Sequence, residues 1–131
     1  MASTPIAELI GFSLGEVGDG RAVGSFQPGP QHANPMGTLH GGVLCDLADA
    51  TMGMAFMSTL GDEESFTTLD LHINFFRPVW TGQLRSEARV VQRGRITGYV
   101  ECDVLDVSSG KMVAKASSKC IVLSGDAAKG R

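Results

Sequence analysis

The sequence of 131 residues is poor in several things, and each shortage removes a class of function. It has three cysteines, Cys45, Cys102 and Cys120, odd in number, widely spaced and without a CxxC pair. That argues against a disulfide framework and for free thiols in a reducing compartment. It has little net charge: 11 Lys and Arg against 14 Asp and Glu give −3, with both signs scattered. A nucleic-acid surface is therefore not expected. No basic amphipathic segment marks a membrane surface, and no apolar run approaches the ~18 residues of a span. The opening MASTPIAELIG lacks a basic stretch followed by an apolar one, so no secretory signal is expected and a cytoplasmic chain is. Repeats and low-complexity linkers are missing too. One domain over 1–131 follows, with a core at 11–124 and a flexible tail at 125–131.

What is present is 43% hydrophobic residues, enough for a core. Residues 5–10 suit a short leading helix. FSLGEVGDGRAVGSFQP reads as a hairpin about Gly18-Asp19-Gly20. GPQHANPMGTLH is a loop. One long helix is predicted from Gly41 to Ser58, ended by Gly61 and the acidic DEE. Beyond it the pattern changes to a period of two. In SFTTLDLHINFFRP, Leu69, Leu71, Ile73 and Phe75 alternate with Thr68, Asp70, His72 and Asn74, the mark of a half-buried strand with its apolar face to the core. GQLRSEARVVQRG, ITGYVECDVLDV and KMVAKASSKCIVLS follow, joined by short turns, so an antiparallel meander is expected. The fold class is α+β: a lone helix, apolar on most sides, wrapped by the sheet.

At ~100° per residue, Val43, Leu47, Ala50 and Met54 share one helix face, with Leu44, Ala48 and Ala55 beside them. Asp46, Asp49 and Gly53 fall on the remaining arc. Asp46 lies near the helix start, where the macrodipole favours a carboxylate. Asp49 lies more than two turns in. It is either a solvated or hydrogen-bonded group, or a functional one whose burial raises its pKa. Gly41 and Gly42 open the helix, where free N–H groups and a positive dipole end can receive an oxygen atom. Glycine is also simply tolerated there. If the ligand is a carbonyl, the place is an oxyanion hole. Gly41 and Asp49 stand ~12 Å apart along the helix, too far for one carbonyl to meet both. A joint role therefore requires two antiparallel copies of the helix about a twofold axis.

The stretch HANPMGTLHGGVLCDLADATMG resembles the motif of the hotdog-fold acyl-CoA thioesterases, in the branch of the phenylacetate-pathway (PaaI-like) enzymes, and the likeness extends from about Phe12 to Leu123. The resemblance implies a long central helix in a curved antiparallel sheet of five to six strands. It implies hydrolysis of acyl-CoA to the free acid and CoA, with CoA as part of the substrate and no cofactor. Asp49 matches the catalytic carboxylate, base or nucleophile. Gly41 matches the residue whose N–H polarises the thioester carbonyl, and Gly42 lies beside it. His40 and Asn34 match side chains that shape the site. Pro35 restricts the backbone of Asn34 to extended forms, which helps fix that side chain. Thr68 falls where relatives carry a Ser or Thr that assists the water, with Thr67 as substitute. Asp46 is outside the pattern. A homodimer with composite sites is implied, pairing into a dimer of dimers.

Other signals read differently. GFSLG matches G-x-S-x-G but opens a small chain, not the turn after a hydrolase strand. His32, His40 and His72 have no metal-ligand spacing, so no metal is expected. Cys45 and His40 point apart, against a nucleophile pair. Met52, Met54 and Met57 read as core, with the option that one or two line an acyl pocket. Arg93-Gly94-Arg95 is a charged turn that could also hold a CoA phosphate. The alternatives to a thioesterase are a non-catalytic acyl-CoA-binding hotdog protein and a hotdog dehydratase or hydratase. The acyl group, and CoA as against a carrier-protein thioester, stay open.

Overall fold

A computed structural model describes residues 3–130. A short helix, α1 (Pro5–Ile10), leads into the hairpin β1 (Phe12–Gly18) and β2 (Arg21–Phe26). The long helix α2 (Gly41–Met57) follows, then β3 (Glu64–Phe75), β4 (Leu84–Arg93), β5 (Thr97–Asp106) and β6 (Met112–Ser124). The strands form one antiparallel sheet in the order β1-β2-β4-β5-β6-β3. β4, β5 and β6 are the expected meander. β3 lies at the edge of the sheet, beyond β6, so the segment 76–83 crosses back to bring the chain to β4. Asp19 and Gly20, both at positive φ (53° and 76°), make the β1–β2 turn, a conformation that Asp tolerates and Gly favours. Among the described residues no helix is long and apolar enough to cross a membrane.

The helix α2 lies against the sheet because its apolar residues have nowhere else to go. Its buried side is Leu44, Leu47, Ala48, Thr51, Met52, Ala55 and Phe56. That side is turned from the face centred on Val43, Leu47, Ala50 and Met54: Val43, Ala50 and Met54 are only partly buried. The rotation leaves Asp46 on the open side and Asp49 at the border, next to the arc of Met52 and Phe56. Phe56 fixes the approach of helix to sheet. A Cβ at Gly98 would stand 2.2 Å from its ring, so β5 can pass there only as glycine. Thr51 is buried but satisfied. Its hydroxyl donates to the Leu47 carbonyl (2.7 Å) and accepts from Ser86 Oγ (2.7 Å), as a buried polar group requires. At the helix end Ser58 Oγ donates to the Ala55 carbonyl and Thr59 Oγ1 to that of Phe56 (both 2.7 Å). These hydroxyls, rather than Gly61, end the helix at Met57.

One stretch departs from the sequence expectation. β3 carries a bulge at Leu69: Thr68 pairs with Cys120 and Asp70 with Lys119. The extra residue switches which positions face the helix. Phe66 and Thr68 point inward before it, Leu71, Ile73 and Phe75 after it, and Leu69 itself is 55% exposed. In the tail, Gly125–Ala128 form a 3-10 turn, with Lys129 Nζ 2.9 Å from Asp126; Arg131 lies outside the described residues.

Candidate active site

The site starts in the loop before α2. Asn34 folds that loop on itself: its Oδ1 accepts from the N–H groups of Met36 (3.0 Å) and Thr38 (3.1 Å), and its Nδ2 donates to Thr38 Oγ1 (2.7 Å). Pro35 and Gly37, the latter at φ 92°, complete the turn. The chain then runs out straight. The Leu39 N–H donates to the Val79 carbonyl and the His40 N–H to that of His32, both at 2.8 Å. His40 is thereby delivered to the N-cap of α2, where its Nδ1 accepts from the Gly42 N–H at 2.9 Å. In the neutral ring that bond leaves the proton on Nε2, which faces out.

The two glycines are each demanded by a neighbour. A Cβ at Gly42 would meet Nδ1 of its own cap at 2.9 Å. A Cβ at Gly41 would meet the ring of Phe75 at 2.9 Å. Phe75, half exposed at the end of β3, thus roofs the helix start. It was legible in the sequence only as one of the apolar positions of a strand. The Gly42 N–H is consumed by the cap, while the Gly41 N–H has no acceptor among the described residues. It remains as a donor at the positive end of a 17-residue helix.

Asp49 lies two turns along. Its carboxylate reaches solvent in the single chain and has no hydrogen-bond or ion-pair partner among the described residues. Burial nevertheless raises its pKa above the ordinary carboxylate value, and the Asp46 charge adds to the rise. The same neighbourhood holds Cys120 and Thr68. Cys120 is pushed up mainly by burial, and the charge of Asp49 acts on it in the same direction. Thr68 Oγ1 lies 3.9 Å from its Sγ. Thr68, not Thr67, is therefore the hydroxyl that faces the helix on the Asp49 side. Sequence reasoning took Cys120 only as one of three free thiols.

Two other positions part company. Arg93 is occupied. Its Nε donates to Thr59 Oγ1 (3.0 Å), its Nη1 to the Gly94 carbonyl, its Nη2 to Glu64 (3.3 Å), and its guanidinium lies 5.4 Å from the centre of the Phe56 ring. Arg95 is exposed, and its guanidinium has no partner among the described residues. His32 is a core residue: Nδ1 accepts from the Gly29 N–H (2.9 Å) and Nε2 donates to the Ile10 carbonyl (2.7 Å). Neither nitrogen is left for a metal.

Residues 36–113 match the family described as the thioesterase superfamily, which is more than half of the chain. The chain belongs to the thioesterase superfamily. Mouse acyl-coenzyme A thioesterase 13 is 29% identical over 86 residues, 65% of this chain and 61% of that protein. Among solved structures, a conserved protein of Pseudomonas aeruginosa is 35% identical with a TM-score of 0.86, covering 92% of this chain and 95% of that one. The E. coli PaaI protein from the phenylacetic acid degradation operon is 26% identical with a TM-score of 0.85, over 93% and 86%. The architecture is the hotdog fold of these neighbours, and the thioesterase is a thioester hydrolase.

Proposed function

We propose that this thioesterase hydrolyses acyl-CoA as a homodimer with two composite sites. The observation that carries the reading is the state of one helix: an unpaired Gly41 N–H at its start and a carboxylate of raised pKa at Asp49, ~12 Å further along. In an antiparallel pair of helices, Gly41 and His40 of one chain face Asp49 and Thr68 of the other. The thioester oxygen sits at the Gly41 N–H, where the helix dipole favours the charge that develops as the carbonyl carbon turns tetrahedral. Asp49 either takes a proton from the attacking water, which Thr68 orients, or attacks the carbonyl itself to give, once the CoA thiolate has left, an acyl anhydride that water hydrolyses to the free acid and the restored carboxylate. On either route the thiolate of CoA leaves, and no cofactor or metal is required. Asn34 contributes by holding the loop that presents His40. Arg95, with its free guanidinium, is the residue for a CoA phosphate, and Arg93 is reserved to the fold.

The edge of β3 supports the dimer. Among the described residues this 12-residue strand pairs only with β6, and a long unpaired edge is a template for another copy. Dimers of this kind then pair again into a dimer of dimers. The test is Asp49→Asn and Asp49→Ala on an acyl-CoA panel, with released CoA measured by a thiol reagent. kcat should fall by at least ~10², the usual size of losing a general base. Turnover near that of the unaltered protein would contradict the reading.

A further inference from the structure

We propose that Gly53 and Met57 form an acyl lane: a straight aliphatic acyl group, its carbonyl at Asp49, runs along α2 over Gly53 to Met57 and ends in the apolar cavity beside α1. The inference rests on the acyl-CoA reading and adds the class of acyl group that the site accepts.

Asp49, Gly53 and Met57 are spaced i, i+4 and i+8, so they form one stripe of the helix. Glycine inside a helix costs about 1 kcal/mol relative to alanine, and at the other two glycines of this helix a neighbour enforces it: a Cβ would strike Phe75 at Gly41 and His40 at Gly42. At Gly53 nothing does so: a Cβ would meet only the tip of Phe66, at 3.5 Å, an ordinary contact. The packing of the chain therefore leaves this glycine unexplained, and what it preserves is an open strip beside Asp49. Direction follows from charge. Toward the helix start the stripe reaches Cys45 with the exposed carboxylate of Asp46 beside it, which an alkyl chain avoids. Toward the helix end it meets Met57, 46% exposed.

Met57 is also a wall of a cavity of about 380 Å³, lined by Ala7, Leu14 and Met54 with the hydroxyl residues Thr4 and Ser13 among its lining. That volume is in the range of ligand pockets, and two flexible methionines suit a chain of variable length. Gly53 lies ~6 Å from Asp49 along the axis and Met57 ~12 Å. With C–C bonds of ~1.5 Å in a zigzag, a chain reaches them at roughly its fifth and tenth carbons.

The test is the binding of S-propyl-CoA and S-decyl-CoA, thioethers that cannot be hydrolysed, measured by calorimetry. The unaltered protein should bind the decyl form more tightly. Gly53→Leu and Met57→Glu should each lower the decyl-to-propyl affinity ratio at least ~10-fold. Gly53→Ala, which favours the helix and so folds, should lower it in the same sense by a smaller factor. Equal binding of the two thioethers by the unaltered protein, or an unchanged ratio in the folded Gly53→Ala and Met57→Glu variants, would overturn the lane. Failure of the unaltered protein to release CoA from any acyl-CoA is a separate outcome, which contradicts the activity and leaves the binding ratio to judge the lane.

Discussion

Asp49 carries a cost that its neighbours do not relieve, and that cost has consequences for pH. The carboxylate must be ionised to act as base or nucleophile. Burial, and then the Asp46 charge, hold its pKa above the ordinary carboxylate value. kcat/KM should therefore rise with pH through a pKa above that value, and Asp46→Asn should move the inflection down, because one of the two causes is removed. A profile unmoved by Asp46→Asn would remove Asp46 from the field at Asp49. Stability has the opposite sign. The folded chain holds this proton more tightly than the unfolded chain does. Stability is therefore lost as pH rises through the unfolded and then the folded pKa. Asp49→Asn should raise the Tm at neutral pH, and the gain should vanish below the carboxylate range. A lower Tm at neutral pH would mean that the charge is compensated. The two arginines of the β4–β5 turn divide in the same way. Arg95→Ala should raise KM for acyl-CoA with little change in kcat, the mark of uniform binding. Arg93→Ala should lower Tm instead, since it removes the bonds to Thr59 and Glu64. A raised KM in Arg93→Ala at unchanged Tm would reverse the assignment.

At the scale of elements, helix and sheet are held in register by contacts that allow no extra atom. Gly98→Ala should destabilise by about 1–3 kcal/mol, the usual range for overpacking, because its Cβ would overlap the Phe56 ring. Chemical denaturation measures this, and a change within ~0.5 kcal/mol, the size of a neutral surface substitution, would mean that Phe56 moves aside. The same elements mark what sequence can and cannot reveal. The hairpin turn, the helix and the meander follow from local chemistry: Asp-Gly at positive φ, a periodic apolar run, strands joined by short turns. The sequence groups Val43, Leu47, Ala50 and Met54 on one face of the helix, with Leu44, Ala48 and Ala55 beside them. Period alone finds an amphipathic face, but the sheet decides its rotation, and the deep side centres on Leu44, Ala48, Thr51 and Ala55. The bulge at Leu69 hid for a similar reason. Alternation from Leu69 onward looks regular, and only pairing with β6 reveals the change of phase at Thr68. The place of β3 at the sheet edge is a long-range pairing with no local signature. In the site, the HGG turn and Asp49 were visible as motif. Phe75 over Gly41 and Cys120 beside Thr68 were not, because both lie across the fold from the residues they touch.

The whole molecule raises the question of how one helix serves one reaction with groups at both ends of its first half. On the proposed reading a single chain offers the carbonyl site at Gly41 or the carboxylate at Asp49, not both to one thioester, whereas two chains joined along the open edge of β3 would offer both, twice. The most direct test is complementation. An Asp49→Ala chain and a His40→Ala chain, each nearly inactive, are mixed and allowed to exchange, with exchange verified by native mass spectrometry. In a heterodimer one site carries both lesions and the other none. Random mixing gives about half heterodimers, so about a quarter of all sites become intact. Thioesterase activity should recover to about that fraction of the unaltered enzyme. Activity that stays at the level of the two parents after verified exchange would place the site within one chain and contradict the composite dimer.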